Sequence, residues 1–290
     1  MRILITGAGG QLGRELVRAA PTAAVVKATE RADLDIGDSA AVREIVEAFQ
    51  PTVILNAAAY TAVDKAESER EQAWRINAHA PALLADAANR LGYCRMVHVS
   101  TDYVFSGDTS RRYKPSDETG PIGVYGQSKL EGERAVLQRL GLRAVVLRTA
   151  WVYGLHGKNF LHTMLRLMRE RDSVRVVADQ IGCPTATVSL AKIIWAFAAH
   201  QNLNGVYHWS DSGVASWYDF AVAIAEEAVA RELLPSGVEV LPIATEDYPA
   251  PARRPRFSLL DGCATVAALS ISPLHWRVRL RQVLNEFNHG

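Results

Sequence analysis

Ile3-Leu4-Ile5-Thr6-Gly7-Ala8-Gly9-Gly10-Gln11-Leu12-Gly13 is the stretch on which the fold turns. Arg2–Thr6 is apolar and β-branched, as a strand requires, and Gln11–Ala20 carries helical spacing. Gly7, Gly10 and Gly13 between them form G-x-x-G-x-x-G. Glycine permits the tight turn and lets backbone approach a pyrophosphate, which the free N–H groups at the helix start then face. Leu12 breaks the G-x-G-x-x-G spacing, and a plain strand–helix turn would share this pattern. Its place after a strand and before a helix favours a dinucleotide-binding turn, with Gly7 and Gly10 as cofactor contacts.

Outward from this turn the alternation continues. Strands are expected at 23–28, 52–56, 95–100 and 143–148, and helices at 39–49, 69–91 and 125–140. Asp38 or Ser39 is available to cap the helix from 39, and Pro81 should bend or break the helix over 69–91. Runs such as Thr52-Val53-Ile54-Leu55 suit strands buried on both faces. The expected class is α/β: a Rossmann-type doubly wound parallel sheet over residues 1–150, with a smaller C-terminal substrate-binding lobe over 151–290. Some segments of the second half are expected to return to the Rossmann core.

Composition narrows the function. The 290 residues are 49 % hydrophobic and 22 % charged, which excludes a disordered chain, a collagen-like chain or a coiled coil. Thirty-two basic residues stand against 31 acidic ones, so no long-range positive field exists to gather nucleic acid or an anionic membrane. A phosphate-bearing partner needs a local site. Cys94, Cys183 and Cys263 are too few and too scattered for a disulfide framework or a zinc site, which points to a reducing, cytoplasmic setting. The N-terminal apolar run is too short for a signal peptide, and no run of about 18 apolar residues suggests a membrane span. Lys27, Glu30 and Arg31 near the end of the second strand give a mixed signal for the adenosine ribose, leaning to NADPH with NADH also open.

Tyr125-Gly126-Gln127-Ser128-Lys129 places a phenol and an ammonium on one helix face. A phenol titrates near ~10, and an adjacent ammonium favours its ionised form. Tyr125 is then expected to pass a proton to a carbonyl oxygen as hydride arrives at its carbon. Thr101, after the fourth strand, lies where open parallel sheets bind ligands and can bond the same oxygen. Thr101, Tyr125 and Lys129, after the glycine turn, form the expected catalytic set of a nicotinamide-dependent site.

At this point the chain resembles the extended short-chain dehydrogenase/reductases, and within them the dTDP-4-dehydrorhamnose reductase family. The resemblance rests on Asn56-Ala57-Ala58-Ala59-Tyr60-Thr61-Ala62-Val63-Asp64-Lys65-Ala66-Glu67, Ser100-Thr101-Asp102-Tyr103-Val104-Phe105 and Tyr125-Gly126-Gln127-Ser128-Lys129. Arg148-Thr149-Ala150-Trp151, Asp179-Gln180-Ile181-Gly182, Ser216-Trp217-Tyr218-Asp219 and Arg254-Pro255-Arg256 extend it over nearly the whole length. It implies reduction of the C4 ketone of dTDP-4-dehydro-β-L-rhamnose to dTDP-L-rhamnose, with NADPH or NADH as hydride source. It also implies cofactor contacts from Gln11, Leu12, Asp35, Ile36, Ala58, Ala59 and Tyr60, beside Tyr125 and Lys129. Thr101, Asp102, Trp151, Arg253 and Arg254 are the implied substrate residues, with Asn159 and Phe160 as weaker candidates.

Some members of the family dimerise through a magnesium site of carboxylates. Glu15 and Glu286 match two of its positions, but Val188 stands at the third. No metal is therefore expected, both glutamates are read as solvated charges, and a homodimer is left open. Phe257 stands where the family often has Asn, so a nucleotide contact there is not expected. Three other readings compete: another nucleotide-sugar 4-ketoreductase, a nucleotide-sugar epimerase or dehydratase, and a non-catalytic subunit like the beta subunit of methionine adenosyltransferase. The dehydratases carry an Asp-Glu pair after the threonine, whereas Asp102 is followed by Tyr103.

Overall fold

A computed structural model describes residues 1–235 and 237–287. Its centre is a fully parallel sheet built from β1 (Arg2–Thr6), β2 (Val25–Thr29), β3 (Val53–Asn56), β4 (Arg95–Thr101) and β5 (Ala144–Thr149). They run in the order β2-β1-β3-β4-β5, and the strand Gly205–His208 adds on the far side of β5. All four residues of β3 and all six of β5 are buried, because helices cover both faces. On one face Ile3, Ile5 and Leu55 pack against Leu16 and Leu190. On the other, Leu4, Ile54 and Met96 meet Val46, Leu84 and Val136. The period-2 alternation of β1 thus feeds two cores at once. β1 pairs with both β2 and β3, so the chain leaves the sheet in opposite directions there and opens a crevice at their carboxyl ends.

The helix expected over 69–91 is not broken at Pro81. Arg70–Trp74 passes through one π-helical turn, Arg75–His79, into Ala80–Arg90. Pro81 falls in the first turn of that last piece, directly after the widened turn. The wide turn brings Asn77 inward, where its amide bonds both backbone groups of Tyr60 and the Ser128 hydroxyl. Asp38 caps the helix Ser39–Phe49 through the N–H groups of Ala40 and Ala41.

The second half is not one continuous lobe. Thr187–Ala199 lies on the central sheet against the first helix, Gln11–Arg18, and Gly205–His208 is an edge strand of that sheet. The smaller lobe is formed by Phe160–Glu170, Trp217–Val229 and Trp276–Phe287 around Leu161, Phe220 and Leu280. A capping box of Ser216 and Asp219 starts its middle helix. Among the described residues no helix is long and apolar enough to cross a membrane, and all three cysteines are free.

Candidate active site

The glycine turn forms the floor of a cleft of about 400 Å³ at the crevice between β1, β2 and β3. Gly7 has a positive φ of 74°, and a Cβ on it would lie 2.6 Å from the backbone of Ala58. A Cβ on Gly13 would lie 2.1 Å from the Gly7 carbonyl oxygen, so the helix start and the turn demand glycine at both ends. Gly7, Gly10, Asp35, Ile36, Ala58, Ala59 and Tyr60 line the cleft, together with Gly9, Glu30, Arg31 and Leu34. Lys27 does not. Asp35 is ion-paired with Arg75, which holds its carboxyl below the usual range. The side chains of Gln11 and Leu12 turn elsewhere. Gln11 bonds the Val152 carbonyl and Asn159, and Leu12 is buried in the sheet core.

Thr101, Tyr125 and Lys129 come together where β4 ends against the helix Val124–Leu140. Three contacts seat that helix. The Glu67 carboxylate accepts the Val124 N–H at 2.9 Å and caps it. Gly126 rides on the turn after β4, where a Cβ would lie 2.1 Å from the Tyr103 carbonyl oxygen. A Cβ on Gly132 would lie as close, 2.1 Å, to the Asn77 carbonyl of the π turn.

Tyr125 meets the Tyr103 ring edge-on at 5.7 Å, and its hydroxyl faces that of Thr101. The Thr101 hydroxyl donates to Asp102 at 3.0 Å. Lys129 does not lower the phenol as expected. Burial pushes Tyr125 up to about 12, with Thr101 opposing and Asp102 adding to the rise. Lys129 is itself buried, with Nζ donating to the Val99 carbonyl at 2.6 Å, and burial brings it down to about 8. Without ligand, therefore, Tyr125 is a protonated acid at neutral pH.

Asp102 is 2 % exposed, and burial raises its carboxyl to about 6 against hydrogen bonds from Ser258 and Thr101. Its Oδ2 has no partner among the described residues.

A second cleft, of about 510 Å³, adjoins the turn after β4 and includes Ser106, Gln180, Tyr248, Arg253, Arg254 and Arg256 in its wall. Arg254 is gripped by Asp64 through two hydrogen bonds, at 3.0 and 2.7 Å. Arg253 is exposed, and Arg256 reaches Glu246 only at 3.9 Å. The Trp151 ring stacks on Trp217 at 3.6 Å and covers Gly182, and neither of these two clefts includes it in its wall. Asn159 caps the helix Phe160–Glu170, and Phe160 packs on Trp217, so both serve the fold. Phe257 packs against the core of the smaller lobe.

Glu15 is not the solvated charge expected. It is 3 % exposed and bonds Arg18 at 2.8 Å, and Arg18 also reaches Glu286 at 2.9 Å. Among the described residues no group of His, Cys, Asp or Glu could hold a metal ion. Sequence reasoning missed Glu67, Asn77, Tyr103 and Ser258 as shapers of the site. None of the four carries a local signal; only Gly126, directly after Tyr125, gave a local sign of the close approach to the Tyr103 backbone.

The family profile described as the RmlD substrate binding domain matches residues 1–289. The chain belongs to the RmlD family. Among its relatives, a dTDP-4-dehydrorhamnose reductase of Aggregatibacter actinomycetemcomitans is 44 % identical, covering 97 % of this chain and 98 % of the relative. One of Burkholderia thailandensis is 43 % identical, covering 96 % of each. The crystal structure of the Bacillus anthracis dTDP-4-dehydrorhamnose reductase in complex with NADP superposes with a TM-score of 0.92. Its identity is 36 %, covering 98 % of this chain and 99 % of that one. The RmlD assignment agrees with the motif resemblance along the whole length.

Proposed function

We propose that this chain reduces the C4 ketone of dTDP-4-dehydro-β-L-rhamnose to dTDP-L-rhamnose, the last step of dTDP-rhamnose synthesis. The observation that carries the reading is the grouping of Thr101, a protonated Tyr125 and a buried Lys129 at one strand end, in an RmlD chain with a glycine-floored cleft. A nicotinamide dinucleotide fits that cleft. Gly7 and Gly13 leave no room for side chains, so the turn offers bare backbone to a pyrophosphate. Leu34, Ile36 and Ala57 offer apolar walls to an adenine. Glu30 and Arg31 sit together at the β2 end, so NADPH and NADH are both accommodated: Arg31 suits a 2′-phosphate and Glu30 a 2′-hydroxyl.

When bound, the reduced nicotinamide supplies hydride to C4. The protein's residues do the rest. Tyr125 gives its proton to the C4 oxygen, and the Thr101 hydroxyl steadies that oxygen with a second hydrogen bond. The free Oδ2 of Asp102 accepts a sugar hydroxyl. Lys129, one turn along the helix, is the adjacent proton reservoir for Tyr125. The second cleft takes the dTDP part, with Arg253 and Arg256 as cations for the diphosphate while Asp64 holds Arg254 in its wall. Anchoring this distant part sets the ketone against the hydride donor.

A dehydratase reading is disfavoured, because the position after Asp102 holds Tyr103, packed on Tyr125, and no second carboxylate. A non-catalytic role leaves the assembled catalytic set unexplained. Three free thiols, two of them buried, are in keeping with a reducing cytoplasmic setting. Oxidation of NADPH and NADH should be followed against a panel of 4-keto nucleotide sugars, with product NMR. Turnover of the dTDP-4-keto-6-deoxy-L-sugar to dTDP-L-rhamnose is expected, and absence of oxidation with every sugar would overturn the reading.

A further inference from the structure

Arg75 opens the π turn and pairs with Asp35, 40 residues away in the loop between β2 and the helix Ser39–Phe49. One Asp35 oxygen accepts the Gly37 N–H at 2.9 Å, and the other accepts the Arg75 guanidinium. That guanidinium lies against Gly37. A Cβ on Gly37 would stand 2.7 Å from its central carbon and 2.8 Å from Nε, so bare backbone at 37 is what admits it. Asp35 stands in the wall of the glycine-floored cleft, as do Gln72 and Ile76 on either side of Arg75 in its helix, whereas Arg75 is not a wall residue. The two side chains are 38 % and 40 % exposed, and an ion pair so exposed adds little to folding stability. The arrangement therefore calls for another use.

A carboxylate can only accept, and an adenine ring offers one donor group, its amino group. An untethered aspartate must be frozen from several rotamers to meet it, which costs binding. Held on both oxygens, Asp35 is already in one orientation, and each oxygen keeps room for a further hydrogen bond. We propose that Arg75 is a positioning residue of the cofactor site, fixing the Asp35 carboxylate to accept the adenine amino group of the bound dinucleotide. This rests on the cofactor reading of the cleft given above. Arg75 acts through Asp35 and not as a cation for the 2′-phosphate, so NADPH and NADH depend on it alike. Arg31, which does stand in the cleft wall, is the residue that tells them apart.

Two unrelated substitutions remove the same contact. Arg75→Ala deletes the guanidinium. Gly37→Ala displaces it from Asp35 without altering the π turn, and because Gly37 does not have a positive φ, alanine there brings no backbone strain. The full-length proteins would be titrated with NADPH and with NADH by calorimetry, in the absence of sugar. The expected result is a Kd raised about 3- to 10-fold for both cofactors in each variant, with partial recovery in Arg75→Lys. In an Asp35→Ala background, Arg75→Ala should add no further loss. Parent-like binding in both variants overturns the proposal, as does a loss in Arg75→Ala that Gly37→Ala does not share, which would belong to the π turn. A loss for NADPH alone, or a full further loss in the Asp35→Ala background, also overturns it. A parent protein that binds neither cofactor would instead overturn the cofactor reading of the cleft, and the proposal with it.

Discussion

Gly126→Ala isolates the seating of Tyr125 from its chemistry. A Cβ there would lie 2.1 Å from the Tyr103 carbonyl oxygen, a backbone atom that cannot swing aside as a flexible side chain does. Restoring ordinary contact requires the helix start to retreat by roughly 1 Å. Tyr125 is the preceding residue, so its hydroxyl moves with it and away from Thr101. A displacement of about 1 Å at a reacting group costs on the order of 100-fold in rate, or about 2.7 kcal/mol of barrier. The glycine turn sits at the end of β1, two strands over from β4, and does not touch Gly126. Steady-state kinetics with the dTDP-4-keto sugar should show kcat down about 100-fold, while titration of the variant with NADPH gives a Kd within a few-fold of the parent. A kcat within a factor of three of the parent, in a folded variant, would refute the argument that this close approach positions the acid.

Asp102→Asn tests the buried carboxyl. Its folded value of about 6, against an ordinary 3.8, favours the folded state fully below the unfolded value and loses that advantage as pH rises through 6. The variant should therefore melt higher than the parent at pH 8, by up to about 3 kcal/mol, with the gain gone near pH 4 and KM for the sugar raised. Glu30→Ala should weaken NADH by about 10-fold or more while sparing NADPH, as paired binding titrations would show; equal losses would remove Glu30 from the ribose. Arg253→Ala and Arg256→Ala, measured at saturating cofactor, should raise Kd for dTDP about 10-fold for at least one of them. Parent-like binding by both would place the diphosphate elsewhere.

What could be read from sequence was what depends on local pattern. The glycine turn, the β-branched strands and the Tyr125–Lys129 spacing declare themselves because sterics and helical period act over a few residues. The features that escaped depend on contacts between distant parts of the chain. Pro81 looks like a breaker until the π turn Arg75–His79 is seen ahead of it, with Asn77 tied to Tyr60 and Ser128. Glu67 carries no local sign that it caps the catalytic helix 57 residues later. The basic cluster at 253–256 gives no sign that Asp64 already claims Arg254, and Trp151 gives none that Trp217 covers its ring. The lowering of Tyr125 expected from Lys129 failed for a similar reason. Spacing places two groups on one face, but burial and the Val99 carbonyl decide their charge states.

The most direct test of the central claim follows the hydride and the proton together. Parent and Tyr125→Phe proteins would be supplied with dTDP-4-dehydrorhamnose and NADPH deuterated at the transferring position of its nicotinamide, and the product read by NMR. The account predicts dTDP-L-rhamnose from the parent with deuterium at C4. It predicts turnover lower by about 10²–10⁴-fold in Tyr125→Phe, with NADPH still bound. Product without deuterium at C4, or a Tyr125→Phe protein that turns over like the parent, would contradict it.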